Sequence, residues 1–424
     1  MRKVPLVLLG AVAGIALTVA TAQTRFFLTD PGAKSIDSAS RYQLLGVFGE
    51  AFERVRAFYV EKPDDRKLVA KAVNGMLSEL EDSYYLEVEP RTRADTCTGP
   101  DCALALGNVG VGYTTQHGLV TVTSPFEETP AAKSGIMARD VIIGLDDDPL
   151  QGLTYYEVAE RLRGKVGSTI KLNVLRPGRD KPMEFSIVRE RIKTRSVRGR
   201  GDGGDIGYIR ITQFNETTQD QLKKAIDDIN GQIAPEKLKG FVVDLRNNPG
   251  GFLEAAVGVA DAFLQQGEIV SISGRKAGAS RHFNAKPGDL ANGKPVIVLI
   301  NAGSAAAAEV VAGALQDGHR ATIIGTRSFG EGAAVTAIPL GPGKGVIHLA
   351  TGHYVTPAGH DIEAKGIAPD VEVLQDLPDD LKPSANAIGK EQVALQSYIP
   401  PDATADKALN AAYATLRGVK DSGR

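Results

Sequence analysis

Two stretches of the sequence combine an apolar run, a sharp turn and the start of a helical pattern. Unpaired backbone amides collect at such junctions, and anions are favoured there. The first is Asp244-Leu245-Arg246-Asn247-Asn248-Pro249-Gly250-Gly251. Its two glycines allow close backbone approach, so the amides of Gly250 and Gly251 are candidates for an oxyanion hole. The second is Asn301-Ala302-Gly303-Ser304-Ala305-Ala306-Ala307-Ala308-Glu309, placed where a nucleophile elbow would sit. Attack on a carbonyl is the chemistry such a pair of turns would support, but the tip of the second turn carries alanines.

Each turn needs a strand and a helix to hold it. The apolar run 241–245 precedes a helical pattern over 253–264, and the run 296–300 precedes another over 305–315. Continuous apolar strands between helices read as a sheet covered on both faces, and an α/β core is expected over 191–375. Ahead of it, residues 103–189 carry short strand-like runs at 118–122 and 170–174 and one helical stretch at 155–163. Apolar residues recur at helical spacing over 41–59 and 68–80, which predicts two amphipathic helices within an N-terminal region 35–90 that needs a partner surface. Residues 90–101 read as a linker. The segment 376–424, with Pro378, Pro383, Pro400 and Pro401 and a helical stretch over 407–416, is expected to be a tail packed on the core or partly mobile.

At 424 residues and 42% apolar content the chain should divide into two or three domains. A net charge of -2, from 49 basic against 51 acidic residues, argues against a nucleic-acid footprint and points to protein or peptide partners. Arg2 and Lys3 precede an apolar run over 4–20 and the small-x-small pattern Ala20-Thr21-Ala22, so 1–22 reads as an export signal cleaved after Ala22, with an uncleaved anchor as the alternative. A periplasmic or otherwise exported location follows. Cys97 and Cys102 flank a Gly-Pro turn, and an exported compartment permits a short-loop disulfide between them; a zinc pair lacks two further ligands nearby. Nothing in the sequence calls for a cofactor or a resident metal.

Three features of 103–189 resemble a PDZ module. Asn108-Val109-Gly110-Val111 is similar to the loop whose amides hold a peptide's terminal carboxylate. Pro130-Ala131-Ala132-Lys133-Ser134-Gly135-Ile136 with Asp140-Val141-Ile142 is similar to the module's Pro-Ala-x-x-x-Gly-Ile…Asp-x-Ile turn. The resemblance implies that an extended peptide adds as a strand between the loop, Val109, Gly110 and Val111, and the helix carrying Val158 and Leu162. A PDZ-shaped spacer with a closed groove is the alternative.

Across nearly its whole mature length the chain resembles the carboxyl-terminal processing peptidases, or tail-specific proteases. Besides the PDZ features, the resemblance rests on the Asp244 to Gly251 turn, Gly313-Ala314-Leu315-Gln316-Asp317, Gly325-Thr326-Arg327-Ser328-Phe329-Gly330 and Lys365-Gly366-Ile367-Ala368-Pro369-Asp370. It implies an α/β multidomain fold of N-terminal helices, PDZ module and sheet-and-helix core, and oligomers built through the N-terminal helices. In active members the second turn reads Gly-Ser-Ala-Ser-Ala-Ser-Glu, with the middle serine as nucleophile; that position is Ala306 here. The base is a lysine in Phe-Gly-Lys-Gly, matched by Glu331, and the glutamine that orients it is matched by Val335. No lysine lies between Lys294 and Lys344 to serve instead.

Alanine has no group to attack a carbonyl, and a glutamate cannot take the part of a neutral amine toward one. The expected function is therefore an inactive homologue of the cell envelope that binds protein C-termini or extended peptides, alone, as a homo-oligomer or with an active relative. The alternative is an active serine endopeptidase with a displaced nucleophile, for which Ser304 is the candidate; its other reading is a helix cap. Ser328 and His319 are not assigned a role. His348, His353 and His360 with Asp361 and Glu363 are dense enough to raise a metal site, but strand alternation sends His348 and His353 to opposite faces. Charge inversion at residue 331 suggests that its carboxylate plugs the vacated oxyanion hole, against the amides of Gly250, Gly251 and the helix start near Ala306.

Overall fold

The computed structural model describes residues 38–80, 82–86, 106–116, 118–179, 181–192, 195–275, 280–378, 381–382 and 396–418. The export segment 1–22, both cysteines and the linker 90–101 lie outside the described residues. The chain forms two units, Met1–Leu68 and Val69–Arg424. In the first, helix α1 spans Ser38–Phe58 and leaves Leu44, Leu45, Phe48 and Phe58 exposed. Glu50 and Arg54 pair one turn apart along it, and Arg56 reaches Asp65 at 3.0 Å. Helix α2, Asp65–Leu77, carries the chain into the second unit.

In the second unit a short strand β1, Tyr84–Leu86, precedes the PDZ-like region. That region contains β2 (Leu106–Gly107), β3 (Val111–Gln116), β4 (Leu119–Pro125), helix α3 (Pro130–Lys133), β5 (Val141–Leu145), β6 (Asp148–Pro149), helix α4 (Tyr155–Leu162), β7 (Gly164–Lys165), β8 (Thr169–Leu175) and β9 (Met183–Val188). The main sheet is antiparallel in the order β3-β4-β5-β8-β9, with β3 at its edge. Alternate residues of β4 and β8 turn inward, so Val120, Val122, Ile170, Leu172 and Val174 form one core with Val158 and Leu162 of α4. Thr154 and Glu157 cap α4 reciprocally, each side chain accepting from the other's backbone amide, which fixes where the helix begins.

The core follows with β10 (Val197–Asp202), β11 (Ile206–Ile211), helix α5 (Thr218–Gln232), β12 (Gly240–Asp244), helix α6 (Leu253–Asp261), β13 (Glu268–Gly274), β14 (Arg281–Asn284), β15 (Val296–Ile300), helix α7 (Ala307–Asp317), β16 (Ala321–Gly325), β17 (Ala333–Pro339), β18 (Val346–Val355), β19 (Val371–Glu372) and helix α8 (Lys407–Arg417). Its central sheet runs β10-β11-β12-β15-β16-β19, parallel except for β10. One face meets α5, α6 and α7 through Ile209, Val243, Val298 and Ile323; the other meets α8 through Tyr208, Val242, Leu299 and Ile324. Both faces are thus covered, which explains the uninterrupted apolar runs.

Of the two expectations for the segment 376–424, packing on the core holds for its described end. That end, α8, is a layer of the core: Ala408, Leu409 and Ala412 are buried on the sheet, and Asp406 at the helix start accepts from Arg246 Nη1 at 2.8 Å. A further sheet, β1-β18-β13-β14 with β17 also on β18, was not foreseen from the sequence.

Candidate active site

The two turns meet. Ala306 stands between β15 and α7 with φ 48° and ψ -114°, a left-sided backbone conformation that a residue with a Cβ adopts only when its surroundings impose it. The surroundings do so from several sides. Ala305 N donates to Asn248 O at 2.9 Å, Ala306 N to Glu309 Oε2 at 2.9 Å, and Phe329 N to Ser304 O at 2.8 Å. Asn301 Oδ1 accepts from both Asn247 N and Gly303 N, joining the turns side by side. Gly250 (φ 95°) comes so near that a Cβ on it would lie 2.8 Å from the Ala306 Cβ. This is the strained elbow that presents a side chain above the end of a sheet, and the side chain presented is a methyl group.

Of the two glycine amides expected to form an oxyanion hole, Gly250 N is already bonded to Asn248 Oδ1 at 2.9 Å. No hydrogen bond within the described residues uses the amide of Gly251 or that of Ala307, the first residue of α7. The pair available to an oxyanion is therefore Gly251 with Ala307, a corrected assignment that follows from Asn248 folding back on its own turn.

Glu331 shares a cleft of about 360 Å³ with Ala306, Gly250, Gly251, Val335, Tyr155 and Tyr354. Its Oε2 is enclosed and has no hydrogen-bond partner. Burial, and then the neighbouring carboxyls of Asp82, Glu309 and Glu363, raise its pKa well above the ordinary value. The expected plug is thus not formed. The Gly250 and Ala306 amides are held internally by Asn248 and Glu309, and the enclosed Glu331 Oε2 takes no donor from either turn. Val335, in β17, is partly exposed at the cleft and offers nothing to orient a base.

Sequence reasoning quoted Glu309 only as part of a motif; in the structure it joins the site together. It is fully buried on α7. Its Oε1 accepts from Ser328 Oγ at 2.5 Å and Gly330 N at 2.7 Å, and its Oε2 from Ala306 N and Glu331 N at 2.9 Å each. Burial pushes its carboxyl up to about 7, against the four donors that favour its charge. A glutamate three residues past the elbow is the signal that would have found it. A second missed group is Asp244, held to about 2 despite burial by Arg246 and Arg210, with Arg246 Nη2 at 2.7 Å.

Ser304 does not cap α7. It is wholly buried, its Oγ donates to Leu245 O at 2.8 Å and accepts from Asn301 N at 3.0 Å, so it ties the elbow to the end of β12. Ser328 Oγ, bonded to Glu309, also accepts from Ile367 N at 2.6 Å. His348 stacks on Tyr84 with ring centroids 4.5 Å apart, while His353 pairs with Asp361 at 3.3 Å. Among the described residues no group of three or more histidine, cysteine or acidic side chains is arranged to hold a metal ion.

In the PDZ-like region, Val109 and Val111 are buried to either side of Gly110 (φ 80°). Asn108 Oδ1 accepts from Val109 N at 2.7 Å and Gly110 N at 3.2 Å, occupying amides of the carboxylate loop with a side-chain oxygen. Val158 and Leu162 are enclosed in the core rather than facing an open slot. Tyr113 on β3 donates its hydroxyl to Tyr155 O at 2.9 Å, bridging the edge strand and α4. This region also grips the core: Arg139 Nη2 donates to Phe329 O at 2.8 Å with its guanidinium 4.7 Å from the Phe329 ring, and Ser124 Oγ donates to Asn247 O at 3.1 Å.

Residues 107–187 match the PDZ domain, and residues 205–373 match Peptidase family S41. The carboxy-terminal-processing protease of Bartonella bacilliformis is 45% identical over 393 residues, 89% of either chain. This chain belongs to the carboxy-terminal processing proteases of peptidase family S41. The carboxy-terminal processing protease CtpB of Bacillus subtilis is 31% identical over 81% of this chain and 71% of its own. Among solved structures, the photosystem II D1 C-terminal processing protease aligns with a TM-score of 0.64 at 26% identity, over 86% of this chain and 99% of that one. As a carboxy-terminal processing protease homologue, the chain has the α/β fold of N-terminal helices, PDZ domain and protease core.

Proposed function

We propose that this carboxy-terminal processing protease homologue does not cut peptides but binds them, as an exported pseudopeptidase that takes protein C-termini or extended segments through its PDZ domain. The observation that carries this reading is Ala306 at the tip of an elbow that is otherwise complete. A constrained backbone holds the position, two free amides stand beside it, and no nucleophilic atom is present. Glu331 and Val335 leave the two supporting positions without a base or an orienting amide. A displaced serine finds no support, because Ser304 Oγ is buried and engaged with Leu245 O. The exposed apolar residues of α1 favour assembly with a second copy or an active relative, and the leader-like 1–22 favours a periplasmic or otherwise exported location, possible with or without cleavage of that segment.

The test is a reconstruction series assayed on an unstructured protein with an apolar C-terminus. Ala306→Ser alone is expected to give no cleavage, since a serine without a base is a poor nucleophile. Ala306→Ser combined with Glu331→Lys and Val335→Gln is expected to give measurable cleavage. Full activity from the single change would overturn this account of the site.

A further inference from the structure

The cleft above Ala306 has a chemical character that follows from its walls. Tyr113, Tyr155, Tyr354, Phe126 and Phe214 line it, with Ala306 and Val335 supplying aliphatic surface. Glu331 is its sole ionisable acid, and no lysine, arginine or histidine is among its lining residues. The carboxyls near Glu331 already have donors. Asp82 accepts from Thr114 Oγ1 and Thr115 N, Glu363 from Gly332 N, and Glu309 from the four groups described above. Glu331 Oε2 is enclosed and takes no donor. Arg139, whose charge bears on Glu309, is directed to Phe329 O instead.

We propose that this cleft receives a basic side chain, lysine or arginine, of the bound polypeptide, with Glu331 as its counter-ion. The inference rests on the peptide-binding reading above and deepens it by naming what the cleft selects. An ammonium or guanidinium supplies the missing donor and places positive charge among Asp82, Glu309, Glu331 and Glu363. Its aliphatic stem lies along apolar wall, and the aromatic faces favour a cation over a neutral group. An acidic side chain would add like charge and is excluded. A neutral amide offers a donor without the charge. The cation also favours the ionised form of Glu331, against the burial and neighbouring carboxyls that oppose it.

The experiment uses the full chain and three synthetic peptides with a free apolar C-terminus, identical except for one central lysine, norleucine or glutamate. Calorimetric titrations at pH 7 read the affinity of each. The lysine peptide is expected to bind at least tenfold more tightly than the norleucine peptide, with the glutamate peptide weakest. In Glu331→Gln the lysine-to-norleucine ratio is expected to fall to near one. Equal binding of lysine and norleucine, or a preference that survives Glu331→Gln, overturns the inference and leaves peptide binding standing. Failure of all three peptides to bind overturns the peptide-binding reading and the inference with it.

Discussion

Replacing Glu309 by glutamine changes one atom of the site, and the structure sets the size of the effect. In the native chain each carboxylate oxygen accepts two donors: Ser328 Oγ and Gly330 N on one, Ala306 N and Glu331 N on the other. A protonated acid still accepts from the three backbone amides, because it donates across the 2.5 Å contact to Ser328 Oγ while keeping its other lone pairs. Glutamine loses one of them, since its NH₂ end donates to Ser328 Oγ in the same way but cannot accept from Gly330 N. One buried donor left without an acceptor costs about 1–3 kcal/mol, so Glu309→Gln should lose about 1–3 kcal/mol at pH 5.

The same substitution carries a pH signature. An acid raised by burial from 4.5 to about 7 stabilises the fold in full below pH 4.5, and the contribution is lost as pH rises through about 7. That rise corresponds to about 3 kcal/mol at 1.36 kcal/mol per pH unit. The stability of the native chain relative to Glu309→Gln should therefore fall by about 2.5 kcal/mol between pH 5 and pH 8, because glutamine has no charge to bury. Urea unfolding of both proteins at the two pH values measures it, and hydrogen exchange should show the Gly330 amide losing protection. A deficit independent of pH, or glutamine as stable as glutamate at pH 5, would refute the reasoning.

Arg246→Met should destabilise the core by about 3–5 kcal/mol, since it strands the buried carboxylates of Asp244 and Asp406 without their shared cation; thermal unfolding checks this, and a loss under 1 kcal/mol contradicts it. The same variant should release α8, seen as faster proteolysis after Lys407. Asn108→Ala removes the side-chain oxygen from the Val109 and Gly110 amides. It should increase the preference for a peptide with a free C-terminal carboxylate over its amidated counterpart several-fold, as read by fluorescence anisotropy, and an unchanged ratio would mean that these amides do not meet the carboxylate.

Much of the fold was legible in the sequence because burial writes itself into short patterns. The strand expected over 296–300 is β15, and the helix after it begins within two residues of expectation. The elbow was legible for the same reason, being the junction of a buried strand and a buried helix. The β13, β17 and β18 sheet was not, because β17 is largely exposed and β18 pairs with strands from distant parts of the chain, such as Tyr84 opposite His348. The surroundings of Glu331 were illegible on the same ground: Asp82 and Glu363 come near it only after folding, and burial together with their charge raises its pKa well above the ordinary value. Val158 and Leu162, expected from the resemblance to line a peptide groove, lie in the filled core, and a helical run of apolar residues does not distinguish an open groove from such a core.

The measurement that bears most directly on the central claim is mass spectrometry of the purified native chain after incubation with a serine-directed covalent probe and a disordered protein substrate. The account predicts no mass added to any residue of the core and an intact substrate. A probe adduct on a core side chain, together with cleavage that disappears when that residue is replaced, would contradict it.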